Sequence, residues 1–187
     1  MRIRIQILVA MAILLSARAT ARATTLARMS LDQLAAAADA VARVRCTDAK
    51  SRWENGEIWT VTTFGVVETM KGVLPARIKV RLPGGRVGHL TAAVDGTPRF
   101  NAAEEAVVFL ERSPAGGFSV AAWVEGTFRI GRDPHTSVET VTQDSSTFAV
   151  FDTVTRTFHT EGIRRMPFEQ FRERVAAALA RTQEKLQ

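Results

Sequence analysis

Short β-type segments separated by turn residues fill the chain from about residue 40 to residue 151. Arg77-Ile78-Lys79-Val80-Arg81-Leu82 shows the pattern most clearly, because basic and apolar side chains alternate until Pro83-Gly84-Gly85 stops them. No long helical segments separate these strands, as a parallel sheet would require. The pattern therefore predicts a mainly β fold, an antiparallel barrel or sandwich.

The first two predicted strands form a hairpin. Ala40 to Thr47 alternates in polarity, and Ile58 to Met70 is rich in Val, Thr, Trp and Phe. Asn55-Gly56 between them is a hairpin turn signal, and Lys71-Gly72 ends the second strand. Residues 83 to 105 are expected to be irregular. The later predicted strands are Ala106 to Leu110, Phe118 to Val124, Thr127 to Ile130, Val138 to Gln143 and Phe148 to Phe151.

One helix is predicted on each side of the β region. Ser30-Leu31-Asp32-Gln33 has the spacing of a capping box and predicts a short helix from about Leu31 to Ala38. Residues 167 to 185 predict an amphipathic C-terminal helix, starting at Pro167 or Phe168. An interfacial membrane helix has the same periodicity, but packing of the apolar side on the β domain is favoured.

The N-terminal segment has the organisation of a secretory signal peptide. Two arginines precede the apolar run Ile7 to Leu15, and both Ala17-Arg18-Ala19 and Ala21-Arg22-Ala23 fit a cleavage site. A membrane anchor needs about 20 apolar residues, and Ser16 and Arg18 interrupt the run too early. We therefore expect residues 1–23 to be a signal peptide, residues 24–187 to be a single exported domain, periplasmic or extracellular, and no integral membrane segment to remain after cleavage.

Charge and composition exclude several classes of protein. The whole chain has 25 Lys and Arg against 19 Asp and Glu, but cutting after Ala23 removes four arginines and leaves a net charge of only +2. A nucleic-acid partner is therefore not expected. With 46% hydrophobic residues and one cysteine, the chain is neither a disordered tail nor a disulfide-stapled miniprotein.

The single cysteine, Cys46, has two readings in an oxidising compartment. It either pairs with a partner chain or is buried and inert. Because Arg43 and Arg45 alternate with apolar residues there, the thiol shares the apolar face of its strand. Burial is the favoured interpretation.

Three short motifs follow the predicted N-terminal helix in a characteristic order. They are Ala38-Asp39-Ala40-Val41, then Glu68-Thr69-Met70-Lys71-Gly72 at the end of the long second strand, then the strand Glu105 to Leu110. Over about Leu31 to Trp123 this order resembles the OB-fold barrel of the tissue-inhibitor-of-metalloproteinases and netrin-module superfamily. The resemblance implies an OB-like antiparallel β-barrel whose loops bind a partner.

The resemblance does not extend to the inhibitors' chemistry. Those proteins chelate a protease zinc through an N-terminal cysteine, whereas the mature chain here would begin near Thr24 and contains only Cys46. The expected partner is an extracytoplasmic protein, a protease among the possibilities, or a glycan. The oligomeric state is left open.

Two regions are candidates for ligand binding. The glycines of Gly84-Gly85-Arg86-Val87-Gly88-His89 would let backbone amides approach an anion, although a turn or bulge at a barrel edge is the simpler interpretation. Trp53 beside the Asn55-Gly56 turn suits a protein or glycan contact if it is exposed. The candidate residues are Gly84, Gly85, Arg86, Gly88, His89, Arg99 and Trp53.

No complete catalytic or metal-binding set is visible, so neither a cofactor nor a metal is predicted. The three histidines are scattered without an HExxH motif or a cysteine pair. A noncatalytic exported binding module is therefore the first hypothesis. The alternatives are an exported hydrolase or metal-assisted enzyme with a site assembled from distant residues such as His89, Glu104 and Arg99, and an envelope assembly component that uses Cys46 or a strand edge.

Overall fold

A computed structural model describes residues 28–147, 150–152, 156–159 and 162–184. The predicted signal peptide, residues 1–23, lies outside the described residues. The fold is mainly β, with one helix near the N-terminus, α1 (Leu31–Ala37), and one at the C-terminus, α2 (Phe168–Glu184). The strands are β1 (Ala40–Glu54), β2 (Glu57–Lys71), β3 (Arg77–Pro83), β4 (Gly85–Val87), β5 (Leu90–Ala92), β6 (Glu105–Arg112), β7 (Phe118–Val120), β8 (Thr127–Arg132), β9 (Glu139–Gln143), β10 (Val150–Asp152), β11 (Thr157–His159) and β12 (Met166–Pro167).

Helix α1 begins at the predicted capping box. The Ser30 hydroxyl accepts a hydrogen bond from the backbone N–H of Gln33, and the Gln33 side chain accepts one from the backbone N–H of Ser30. Two of the free N–H groups that begin every helix are thereby satisfied, so the prediction is confirmed. The helix ends at Ala37, one residue earlier than expected.

The Lys71-Gly72 pair that ends β2 has a structural explanation. The Lys71 ammonium donates to the carbonyl of Ala35 (2.8 Å) and to that of Ala38 (2.5 Å), which caps the C-terminus of α1. Gly72 has φ +77°, and a Cβ at this position would lie 2.7 Å from the Asp39 carbonyl oxygen. Only glycine lets the end of β2 approach α1 this closely.

The β1–β2 hairpin turns at Asn55-Gly56, as predicted, with positive φ at both residues. The first strand was expected to end at Thr47, and this was wrong, because pairing with β2 continues from Asp48 to Glu54. The added part is mostly polar, so its own residues carry little strand signal. Cross-strand pairing extends the hairpin there.

Two further boundaries differ from the predictions. The stretch 83–105 was expected to be irregular, but it contains β4 and β5, which pair across a turn at Gly88-His89. The predicted strand Phe118 to Val124 ends at Val120, because residues 121–126 turn, with φ +49° at Ala122 and +51° at Trp123. The predicted strand Phe148 to Phe151 lies partly outside the described residues.

Five strands pair in a closed sequence of neighbours. Strand β1 pairs with β2, β2 with β3, β3 with β7, β7 with β6, and β6 again with β1. The β3–β7 pairing is parallel and the others are antiparallel. The sheet continues from β6 through β8 and β9 to β12.

Apolar side chains form two cores on either side of β1 and β6. The strand core lies among the five paired strands and includes Val44, Phe64, Val80, Leu110 and Val120. The helix-side core lies between the sheet and the two helices and includes Leu34, Phe109, Phe128, Phe171 and Val175. Alternation in β3 is as predicted, with Ile78, Val80 and Leu82 buried.

Cys46 belongs to the strand core and is 1% exposed. Burial raises the pKa of its thiol. The predicted burial of Cys46 is confirmed, and a disulfide with a second chain would require β1 to open.

Helix α2 packs its apolar side on the sheet, as expected. Phe168, Phe171 and Val175 are buried, and the rings of Phe171 and Phe128 lie 4.7 Å apart between centroids. Within the described part of the chain, neither helix is both long and apolar enough to cross a membrane.

Candidate binding site

A cleft of about 390 Å³ opens between the tip of the β1–β2 hairpin and the β4–β5 hairpin. We call it the hairpin cleft. It is lined by Trp53, Gly56, Glu57, Ile58, Pro83, Gly84, Leu90, Thr91, Ala92 and Val94. Its size and mixed lining are those of a ligand site rather than of a packing defect.

Two large apolar side chains stand at this cleft and remain in contact with solvent. Trp53 is 50% exposed and Leu90 is 43% exposed. One comes from each hairpin, so the two side chains flank the opening while Ile58, 5% exposed, lies inside it. An apolar patch formed by separate elements and rimmed by polar residues is typical of an interaction surface.

A pair of hydroxyl groups joins β4 to the first hairpin. Ser51 Oγ and Thr60 Oγ1 lie 2.9 Å apart, and Thr60 Oγ1 also donates to the Gly84 carbonyl at 2.7 Å. The backbone N–H of Arg86 donates to Ser51 Oγ at 3.2 Å. These bonds hold the β4–β5 hairpin beside the β1–β2 hairpin and so shape the cleft.

Gly84 and Gly85 are required by this close approach. A Cβ at Gly85 would lie 2.3 Å from both Ser51 Oγ and Thr60 Oγ1, and one at Gly84 would lie 2.7 Å from the Ala92 carbonyl oxygen. The Gly84 N–H donates to the Ile58 carbonyl at 2.7 Å. Since the N–H groups of Gly84 and Arg86 are already used, these contacts favour the turn interpretation of the glycines over an anion cradle.

The other candidate residues lie around the same hairpin without converging on one point. The Arg86 guanidinium donates to the Gly88 carbonyl at 3.1 Å, and His89 occupies the exposed turn between β4 and β5. Arg99 donates to the Ala92 carbonyl at 3.1 Å and so fastens the loop that follows β5. Of the predicted residues, Trp53 and Gly84 line the cleft, and Gly85, Arg86, Gly88, His89 and Arg99 support or border it.

Sequence reasoning missed the apolar half of the site. Leu90, Ala92 and Val94 lie in the stretch that was predicted to be irregular, and Ile58 was predicted only as the start of a strand. The available signal was Leu90 itself, a large apolar residue directly after the Gly88-His89 turn.

A second cleft, of about 330 Å³, lies beyond Pro83 and is lined by two indoles. We call it the tryptophan cleft. Its lining is Trp59, Arg81, Pro83, Ser113, Pro114, Ala115, Ser119 and Trp123. The Arg81 guanidinium stacks on the Trp59 ring, 4.3 Å from its centroid, and forms an ion pair with Glu54. Pro83 lines both clefts.

Arg99 and Glu104, two of the residues considered for an enzyme site, are engaged in separate local contacts. Glu104 accepts hydrogen bonds from the Asn101 backbone (2.9 Å) and from Arg129 (2.8 Å). Burial alone would raise the pKa of Glu104, but these bonds and the Arg129 charge outweigh it and lower the pKa. A carboxyl group held ionised in this way is a poor general acid.

No group of three or more His, Cys, Asp or Glu side chains in the described ranges is placed to hold a metal ion. No protein-family model, curated protein or solved structure matches this chain.

Proposed function

We propose that the protein is an exported, noncatalytic binding module with an OB-like barrel, and that the hairpin cleft binds an extracytoplasmic protein. The observation that carries the proposal is the cleft with Trp53 and Leu90 exposed at its opening. Exposed aromatic side chains beside a preformed depression are common centres of protein interfaces. The predicted signal peptide supports an extracytoplasmic partner.

The closed sequence of pairings β1–β2–β3–β7–β6–β1 supports the barrel part of the proposal. In an OB fold, five strands close through one parallel contact between the third and the last, and here the parallel contact joins β3 to β7 through Val80 and Phe118. The position of Lys71-Gly72 between β2 and α1 supports the likeness to the inhibitor and netrin-module superfamily, which remains a proposal.

The binding proposal is tested by affinity capture with three variants of the tagged, purified protein. Trp53→Ala and Leu90→Ser remove the two apolar side chains of the cleft. Val73→Ser is the matched control, since Val73 is 92% exposed and does not line the cleft. We expect the wild type and Val73→Ser to retain the same extracytoplasmic protein and the two cleft variants to lose at least nine tenths of it.

Equal capture by all variants, or equal loss by all of them, would reject the cleft as the binding site. Export is tested separately, because a binding module can be correct while its location is not. Cell fractionation followed by N-terminal sequencing should recover a chain that starts at Thr24 outside the cytoplasm. A chain with residues 1–23 intact in the cytoplasm would reject export.

A further inference from the structure

The outward side of the β1–β2–β3 sheet carries rows of paired residues, and of these Pro83 also lines the hairpin cleft. Cross-strand register places Arg52, Trp59 and Pro83 in one row and Lys50, Val61 and Arg81 in the next. Asp48, Thr63 and Lys79 form a third row, and Arg77 follows Lys79 on the same side of β3. We call these residues the outer face.

The outer face is cationic. Its cations are Lys50, Arg52, Arg77, Lys79 and Arg81, and they are opposed by three carboxylates, Asp48, Glu54 and Glu57. Asp48 pairs with Lys50 at 3.0 Å, and Glu54 pairs with both Arg52 and Arg81. Arg77 and Lys79 are exposed and form no ion pair with any residue that the structure describes. Five cations against three carboxylates leave this face with an excess of two positive charges.

The tryptophan cleft lies at one end of this face, and the backbone of its second tryptophan, Trp123, is fixed by hydrogen bonds. Ala122 and Trp123 are both in the left-handed region, which is unfavourable for residues with a Cβ. The Trp123 backbone is locked nevertheless, because its N–H donates to the Val120 carbonyl and its carbonyl accepts from Gly126 N–H and Thr127 Oγ1. The strained turn thus presents an indole opposite Trp59.

The polar groups that this cleft offers are mainly donors. Neither the Trp59 nor the Trp123 indole N–H donates to a residue in the described ranges, and Arg81 has one of its nitrogens on Glu54. A ligand that suits the cleft and the outer face therefore has flat apolar surface, hydrogen-bond acceptors and repeated negative charge. β2 and β3 each have a strand neighbour on both sides, so neither offers an unpaired edge to which a peptide strand could add. The ligand must therefore lie across the face of the sheet.

We propose that the outer face and the tryptophan cleft bind an acidic polysaccharide that carries carboxylates on its sugar rings. The rings supply C–H surface for the indoles, and the carboxylates supply acceptors for Arg77, Lys79 and Arg81. These three cations stand two residues apart on β3, roughly 7 Å from one to the next, so a stiff chain with regularly repeated charge fits them. An acidic polypeptide also supplies charge, but it has no ring to stack in the cleft and loses more conformational freedom on binding.

The test measures binding of polygalacturonate to the purified protein, with dextran as the neutral polymer and polyglutamate as the acidic polypeptide. We expect polygalacturonate to bind at about 50 mM salt and to weaken at about 500 mM. Dextran should not bind, and polyglutamate should bind at least roughly fivefold more weakly. The double variant Arg77→Gln/Lys79→Gln should lose roughly three- to tenfold in affinity.

Two further variants separate the site from general charge and from misfolding. Arg174→Gln removes one exposed cation from α2, far from this sheet in sequence, and should bind as the wild type does. Trp123→Phe keeps an aromatic ring and should bind more tightly than Trp123→Ala. Lack of polygalacturonate binding, equal loss from Arg174→Gln, or equal binding of polyglutamate would overturn the proposal. Trp53 lies outside this face, so the Trp53→Ala variant should bind polygalacturonate with unchanged affinity. A negative result with polygalacturonate would leave the proposal for the hairpin cleft unaffected.

Discussion

Large apolar side chains are buried on the helix-covered side of the sheet and half exposed at the hairpin cleft. On the first side, Phe128 and Phe171 are fully buried against each other, and α2 covers the strands. At the cleft, Trp53 and Leu90 stand half exposed above a floor of smaller residues. Both regions include residues of β1, with Val41 in the helix-side core and Trp53 at the cleft.

This difference in burial separates a region that stabilises the fold from a region that is available for binding. Burial of four phenylalanine rings and of the aliphatic side chains around them stabilises the helix side. At the cleft, hydrogen bonds from Thr60 to the Gly84 carbonyl and from the Arg86 N–H to Ser51 hold the two hairpins together, and Trp53 and Leu90 stay exposed. Mutations should therefore cost stability on the first side and binding on the second.

Phe171→Ala should have the largest effect. It removes a ring from the centre of the helix-side core, so the free energy of unfolding should fall by about 3–5 kcal/mol. Chemical denaturation followed by circular dichroism measures this. Arg174→Gln on the exposed side of the same helix is the control and should change stability by less than about 0.5 kcal/mol. A small effect of Phe171→Ala on the free energy of unfolding would contradict the packing of α2 against the helix-side core.

Gly85→Ala should have the next largest effect, this time at the cleft. The new methyl group would collide with Ser51 and Thr60, and φ +136° does not suit alanine, so stability should fall by about 2 kcal/mol. Gly131→Ala is the control, because its Cβ meets no atom within 4 Å. Equal stability of the two variants would contradict the close approach of β4 to the first hairpin.

Glu125 adds a pH dependence on the helix side. It is 2% exposed, and this burial raises the pKa of its carboxyl group, although Gln143 donates a hydrogen bond to it at 3.1 Å. The folded state binds this proton more tightly than the unfolded chain does. The stability from this group is therefore complete in acid and is lost as pH rises through the folded-state pKa.

Glu125→Gln should remove the loss of stability that the wild type shows as pH rises, because glutamine does not ionise. Denaturation at about pH 4 and about pH 8 should show the variant gaining stability relative to the wild type as pH rises. A difference that is constant or shrinks with pH would show that folding does not raise the pKa of Glu125. Glu104→Gln serves as the opposite case, because its lowered pKa predicts that the variant loses relative stability as pH rises.

Trp53→Ala should have the smallest effect on folding. Half of the side chain is already in solvent, so stability should change by less than about 1 kcal/mol. Thermal unfolding compared with Val73→Ser checks this. A loss as large as that of Phe171→Ala would assign Trp53 to the core and remove the contrast between the two regions.

Most of the fold could be read from local patterns. The Ser30–Gln33 capping box, the Asn55-Gly56 turn and the alternation in β3 each have a mechanism within a few residues. The missed parts depend on distant partners. The outer half of β1 is a strand because it pairs with β2, and β4 is held by Ser51 and Thr60 from more than twenty residues away.

The candidate site was located by sequence only in outline. The Asn55-Gly56 hairpin and the glycine-rich segment were recognised separately, and the structure brings Trp53 and Gly84 to the same cleft. Leu90 was missed, since its role depends on facing the other hairpin. The glycines were recognised as candidates, but the reason for glycine at position 85 is the close approach of two hydroxyl groups. That approach depends on tertiary packing and could not be predicted from the local sequence.

The most direct test of the hairpin cleft as the binding site is photocrosslinking in the producing cells. A photoreactive amino acid replaces Leu90 at the cleft or Val73 outside it. We predict one discrete crosslinked product from position 90 and none from position 73. The same products from both positions, or none from position 90, would contradict the account.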